Sequence, residues 1–185
     1  MTRTLLTATT ILLAASLPLA AQEAACPAEG DAAPLALHKE WMMEGWERRE
    51  GDPPFVFVEK MGKYYDTRNS AGVFYDNFAP GETQLFDDAL RYGRNWEGLQ
   101  NAARSVLHGL TGGHHALVDG SIASTTLGFV GRIDQLDGEV VAFDARSQLG
   151  WECRGGAWKI RHELNYAWPV EPEAIADQLG KRGGD

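Results

Sequence analysis

The chain has 185 residues, enough for one domain with a sizeable core, and carries a net charge of −9. With 17 Lys and Arg against 26 Asp and Glu it lacks the clustered positive charge that binding phosphate backbones requires. Composition therefore speaks against a nucleic-acid partner, and the acidic surplus is read as serving solubility.

Residues 1–21 read as a secretory signal. Arg3 is their only charge, residues 5–19 are mostly apolar, and Ala20 and Ala21 are the small residues expected before a cut. The apolar run is short and broken by Thr and Pro, which disfavours a membrane span. The expectation is a periplasmic or secreted protein with no membrane association once the signal is removed. Residues 22–34 read as a linker. The two cysteines, Cys26 and Cys153, would suit one disulfide in an oxidising compartment, tying the mature N-terminus to the end of a long strand. Two unrelated thiols are the alternative that sequence leaves open.

The spacing predicts a helix over 35–50, with Leu35, His38, Met42 and Trp46 on one stripe. Residues 51–54, Gly-Asp-Pro-Pro, end it and start a short second helix over 55–63, with Phe55, Val58 and Met61 inward. Residues 64–77 are extended around a strand core of Val73, Phe74 and Tyr75. Residues 84–92 show no clear period. Leu99, Ala102, Ala103, Val106 and Leu110 repeat at three and four, predicting a third helix over 96–110 that Gly112-Gly113 stops. Strands follow over 114–121 and 123–134, and Asp137-Gly138 turns the chain into the next.

The stretch 140–168 organises the rest. Phe143, Ala145, Leu149, Trp151 and Cys153 alternate with polar residues, and so do Trp158, Ile160, His162, Leu164, Tyr166 and Trp168. Period two with one apolar face marks half-buried strands, and Gly155-Gly156 suits a two-residue hairpin turn. Residues 170–185 read as a polar tail with a short helix over 173–179. Helices segregated from a run of antiparallel strands mean an α+β fold. A sheet apolar on one face should curl around three helices into a cone with a pocket at its open end.

This order, with Gly156-Ala157-Trp158-Lys159-Ile160-Arg161-His162-Glu163, resembles the nuclear-transport-factor-2-like superfamily in its SnoaL-like and ketosteroid-isomerase-like branches. The strand Val73-Phe74-Tyr75-Asp76, Gly93 before Trp96-Glu97-Gly98, and the turn from Val118 to Ala123 add to the likeness, which spans residues 35–168. Leu164 and Asn165 stand where many relatives place His and Ser. The resemblance implies a cone-shaped α+β barrel whose curved mixed or antiparallel sheet wraps three N-terminal helices, with the domain over 35–169. It also implies dimerisation through the sheet and no metal or cofactor. It does not fix a reaction, since such folds host isomerases, dehydratases, hydrolases and plain binding modules.

His162 shares a parity with Trp158 and Ile160, so it is expected to face the cavity as general base or hydrogen-bond donor. Asp76 is the carboxylate expected to work with it, because an apolar pocket raises an acid's pKa; Asp66, Asp119 and Asp144 are the alternatives. Trp151, Trp158, Ile160, Tyr75 and Tyr166 are the expected ligand-binding residues. Tyr64, Tyr65, Tyr75 and Tyr166 could stabilise an oxyanion, or simply pack as aromatics. His114 and His115 are adjacent on a strand, face opposite sides and do not suggest one metal site. The expected function is binding of a small apolar or amphipathic molecule. The alternative is cofactor-independent isomerisation, hydrolysis or dehydration, and a dimeric interaction module is a third reading.

Overall fold

The computed structural model describes residues 24–182; the expected signal and the start of the linker lie outside them. The chain opens with α1, Pro34–Glu40, whose proline sits in the first turn where its missing N–H costs nothing. It continues as a π-helical turn, Trp41–Gly45, and this stretch buries Leu37, His38, Trp41, Met42 and Met43. The short α2, Phe57–Met61, buries Phe57 and Met61 and leaves Val58 exposed, so its inward stripe is shifted from the expected one.

Strands β1, Ala71–Asp76, and β2, Leu85–Asp88, form a small hairpin, of which sequence period revealed only the first. Then come α3, Ala89–Ala102, and four long strands: β3, Ala103–Asp119; β4, Ile122–Gln135; β5, Val140–Arg154; and β6, Ala157–Pro169. The Asp88 side chain caps α3 by accepting from the Arg91 N–H at 2.9 Å. The expected third helix over 96–110 is thus corrected. The helix ends at Ala102, and Val106, His108 and Leu110 are buried on one face of β3. A spacing of four satisfies helix and strand periods alike, which is why Val106 and Leu110 misled. Gly112-Gly113 stops no helix; it lies in an irregular stretch of β3, with φ values of 140° and 65° that suit glycine.

The six strands form one sheet in the order β2-β1-β6-β5-β4-β3. All neighbours are antiparallel except β1 and β6, which run parallel and set Asp76 beside Asn165. The sheet is not closed into a barrel: β2 and β3 are its edges. Its concave face and the helices enclose one aromatic-rich core, including Trp41, Trp46, Phe57, Tyr65, Phe74 and Tyr92. Gly155 and Gly156, at φ 57° and 81°, make the turn between β5 and β6.

Both ends of the described chain are tied to the sheet. Cys26 and Cys153 are joined by a disulfide across 127 residues, and Trp158 Nε1 donates to the Pro27 carbonyl at 2.7 Å. After β6 the chain makes a short 3-10 helix, Pro172–Ile175. Ile175, Val170 and Leu179 cover Val130 and Ala142 on the outer face of the sheet. The chain then reaches the β3 edge, where Gly180 N–H donates to the His108 carbonyl and Leu110 N–H to the Lys181 carbonyl, both at 2.9 Å. A side chain at Gly109 would meet the Gln178 carbonyl at 1.9 Å, so this glycine lets the strap lie flat. The expected polar tail is therefore, to residue 182, a packed strap.

Candidate functional site

The site is set by an irregularity in β6. Gly150 pairs with His162 and Trp151 with Ile160, so Arg161 is an extra residue, a β-bulge. Before it, Trp158 and Ile160 face the core; after it, Glu163, Asn165 and Ala167 do. The expected cavity position of His162 is corrected: the bulge turns its side chain to the exposed face, along with Leu164, Tyr166 and Trp168. Tyr166, expected to bind ligand, is thus 53% exposed. A strand-interior glycine is the one sequence signal for such a bulge, and Gly150 supplies it. A β-carbon there would stand 3.0 Å from that of His162.

Glu163, which periodicity did not single out, is fully buried and central. Its Oε2 accepts from the Tyr65 hydroxyl at 2.5 Å and its Oε1 from the Tyr92 hydroxyl at 2.6 Å. Asn165 Nδ2 donates to Glu163 Oε1 at 2.6 Å and to Asp76 Oδ2 at 3.2 Å. The Tyr92 hydroxyl also lies 3.2 Å from Asp76 Oδ2, and the Phe78 N–H donates to Asp76 Oδ1 at 2.8 Å. Two carboxyl groups are thus joined through one phenol and one amide. Burial pushes the Asp76 carboxyl up to about 6, against the lowering effect of its hydrogen bonds. Burial also raises Glu163, to about 8, with the Asp76 charge adding to the rise. Burial and the Glu163 charge hold Tyr65 and Tyr92 well above the ordinary tyrosine range, so both phenols remain donors.

Asp76 opens onto a cavity of about 50 Å³ between the helices and the concave face. Trp41, Met42 and Trp46 form one wall; Phe129, Ile133 and Phe143 form another. Tyr92, Trp96 and Gln100, spaced by four, present one stripe of α3 to it. His108, Asn165, Phe78, Ala145 and Ala167 complete the lining, with no Lys or Arg. Among the described residues, four buried polar atoms of this lining lack a protein partner: Trp96 Nε1, Gln100 Oε1, His108 Nδ1 and Asn165 Oδ1. Burial lowers the His108 imidazole to about 4, so it is neutral near pH 7.

The other expected ligand-binding residues lie elsewhere. Trp151, Trp158 and Ile160 are core residues outside the cavity lining, and Tyr75 points to the opposite face of β1 from Asp76. Trp151 Nε1 donates to Thr125 Oγ1 at 2.8 Å, next to a buried His38 whose ring nitrogens meet Thr125 Oγ1 at 2.8 Å and Ser147 Oγ at 3.0 Å. Tyr64 binds Glu40 at 2.9 Å, away from the carboxyl pair. Asp66 and Asp144 pair with arginines, and Asp119 is exposed at a turn. Among the described residues no cluster of three or more metal-ligating side chains forms.

Solved structures share this architecture. An 18% identical protein from Xanthomonas campestris, assigned as a calcium/calmodulin dependent protein kinase II association domain, aligns with 80% of this chain and 96% of its own at a TM-score of 0.54. A type 2 hexachlorocyclohexane dehydrochlorinase (LinA) aligns at 10% identity over 74% of this chain and 85% of its own, TM-score 0.53. The fold is the nuclear-transport-factor-2-like cone. A nuclear transport factor 2 (NTF2-like) superfamily protein from Salmonella enterica is also similar, at 13% identity over 60% of this chain and 75% of its own, TM-score 0.49. No family model matches the sequence. No curated protein matches it. At such identities the likeness shows the fold alone.

Proposed function

We propose that this is an exported domain that binds a small molecule in the cone cavity. The observation carrying the reading is an apolar, aromatic-walled cavity on which a few polar groups converge, the usual composition of a ligand site. Native mass spectrometry of protein recovered from the periplasm tests it. The expected result is a chain shortened by the signal, holding a co-purifying small molecule that an Ala167→Leu variant, filled at the cavity wall, no longer carries. An uncleaved chain removes the export reading; an empty wild type that no small aromatic or alicyclic compound stabilises removes the pocket reading. The same spectrum tests the homodimer that the sheet face of such folds suggests.

A second reading is proton transfer through Asp76, favoured by its raised pKa and its link through Tyr92 to Glu163. A proton on Glu163 can pass to the Tyr92 oxygen as the Tyr92 proton passes to the Asp76 carboxylate, which conserves charge and protons along the chain. A dehydrochlorinase of the same fold keeps such chemistry in view, though only by analogy. Exchange of the carbon-bound hydrogens of small hydroxyketones in D2O, followed by NMR, is the test. Catalysed exchange should rise as Asp76 ionises around pH 6 and vanish in Asp76→Asn. Exchange no faster than in buffer, or unchanged in the variant, removes this reading.

A further inference from the structure

The cavity's unpartnered atoms carry chemical information. Gln100 Nε2 donates to the Trp46 carbonyl at 3.0 Å, which fixes that amide with Oε1 left over as an acceptor. Asn165 Nδ2 is likewise committed to the two carboxyl groups, leaving Oδ1 as an acceptor. Trp96 Nε1 can only donate, and the neutral His108 ring leaves Nδ1 without a protein partner. Gln100, His108 and Asn165 are 2%, 4% and 6% exposed, so bulk water does not satisfy these atoms. A buried polar atom left unpaired costs about 1–3 kcal/mol, so a ligand that pairs several of them gains over one that pairs none.

We infer that the cavity selects a neutral alcohol or phenol with a small apolar body, its hydroxyl donating to Asn165 Oδ1 or Gln100 Oε1 and accepting from Trp96 Nε1. The inference rests on the pocket reading above and specifies its ligand. A hydrocarbon would leave all four atoms unpaired. A ketone or aldehyde accepts from Trp96 but offers nothing to the two amide oxygens. A carboxylate or phosphate meets no cationic lining residue and faces Asp76 and two carbonyl-type acceptors, so anions are rejected on both charge and hydrogen-bond grounds. The aromatic walls favour a compact, flat apolar body that can lie against them.

The test is an NMR titration of the intact protein at pH 8 with four probes of similar size: phenol, toluene, benzaldehyde and benzoate. Phenol should bind at least roughly fivefold tighter than toluene or benzaldehyde, the weight of one added hydrogen bond, and benzoate should not bind. Trp96→Phe removes the indole N–H together with its fused ring, and Gln100→Met removes the amide at nearly the same volume, so toluene serves as the reference in each variant; each should shrink phenol's advantage over toluene. Thermal melts of both variants keep a folding defect apart from a binding effect. Toluene or benzaldehyde binding as tightly as phenol, benzoate binding best, or phenol's advantage surviving both substitutions overturns the ligand class while leaving the pocket. Failure of all four probes to shift cavity resonances removes the pocket itself and the class with it.

Discussion

Glu163 is the residue on which the site's ionisation depends. Its ordinary value is 4.5, and burial in the folded chain raises it to about 8. Between those values the folded state holds a proton that the unfolded state has lost. The stabilisation this gives is complete below the ordinary value and disappears as pH climbs through about 8. Asp76 acts in the same sense up to about 6. Buried His38 and His108 act in the opposite sense, because burial depresses both, so their contribution is present above 6.5 and is lost as pH falls toward their folded values. Urea unfolding across pH 4–9 should therefore show a maximum in mildly acid solution. Glu163→Gln should flatten the alkaline limb while leaving the acid limb in place; an unaltered alkaline limb would mean that the carboxyl does not titrate there. His162→Ala should change stability by less than about 0.5 kcal/mol and leave cavity resonances unshifted, since its side chain is exposed. Sequence drew attention to Asp76, which the fold buries and whose carboxyl burial raises to about 6. It could not find Glu163, because alternation carried through from Trp158 and Ile160 places that residue outside.

At the scale of the element, the bulge at Arg161 decides which residues of β6 face inward. Deleting Arg161, the extra residue, would leave a strictly alternating strand in which Ile160, Glu163, Asn165 and Ala167 still face inward and His162 and Tyr166 outward. The expected outcome is a chain that keeps cooperative unfolding and its near-ultraviolet circular dichroism; loss of both would show that the inward set does not follow from this extra residue. Gly150→Val is the second probe. Its side chain would crowd His162 and should cost about 1–3 kcal/mol by chemical denaturation. The β4–β5–β6 meander, its Asp-Gly and Gly-Gly turns and the α+β class were legible because alternation and turn chemistry are local signals. The boundary between α3 and β3 was not, since Val106 and Leu110 fit either period. Nor was β2, whose four residues Leu85–Asp88 are too few to show a period.

Across the whole molecule, the cystine and the C-terminal strap hold the two ends against one sheet. The Cys26–Cys153 bridge closes a long loop and holds the segment whose Pro27 carbonyl receives Trp158. Reduction, or Cys153→Ser, should lower unfolding free energy by about 2–4 kcal/mol, read as a shift in denaturant midpoint with and without reductant. An unshifted midpoint would show that the N-terminal segment contributes nothing to the fold. The parallel seating of β1 against β6 has a consequence for assembly. Asp76 is made early, yet its neighbours Glu163 and Asn165 come from the last strand, some ninety residues further along. Closing so large a separation is slow. On a ribosome the first hairpin must wait, its inward edge unmatched, until nearly the entire polypeptide has emerged. The acidic pair is therefore among the last features to form, and a product cut short before β6 would lack the pocket floor altogether.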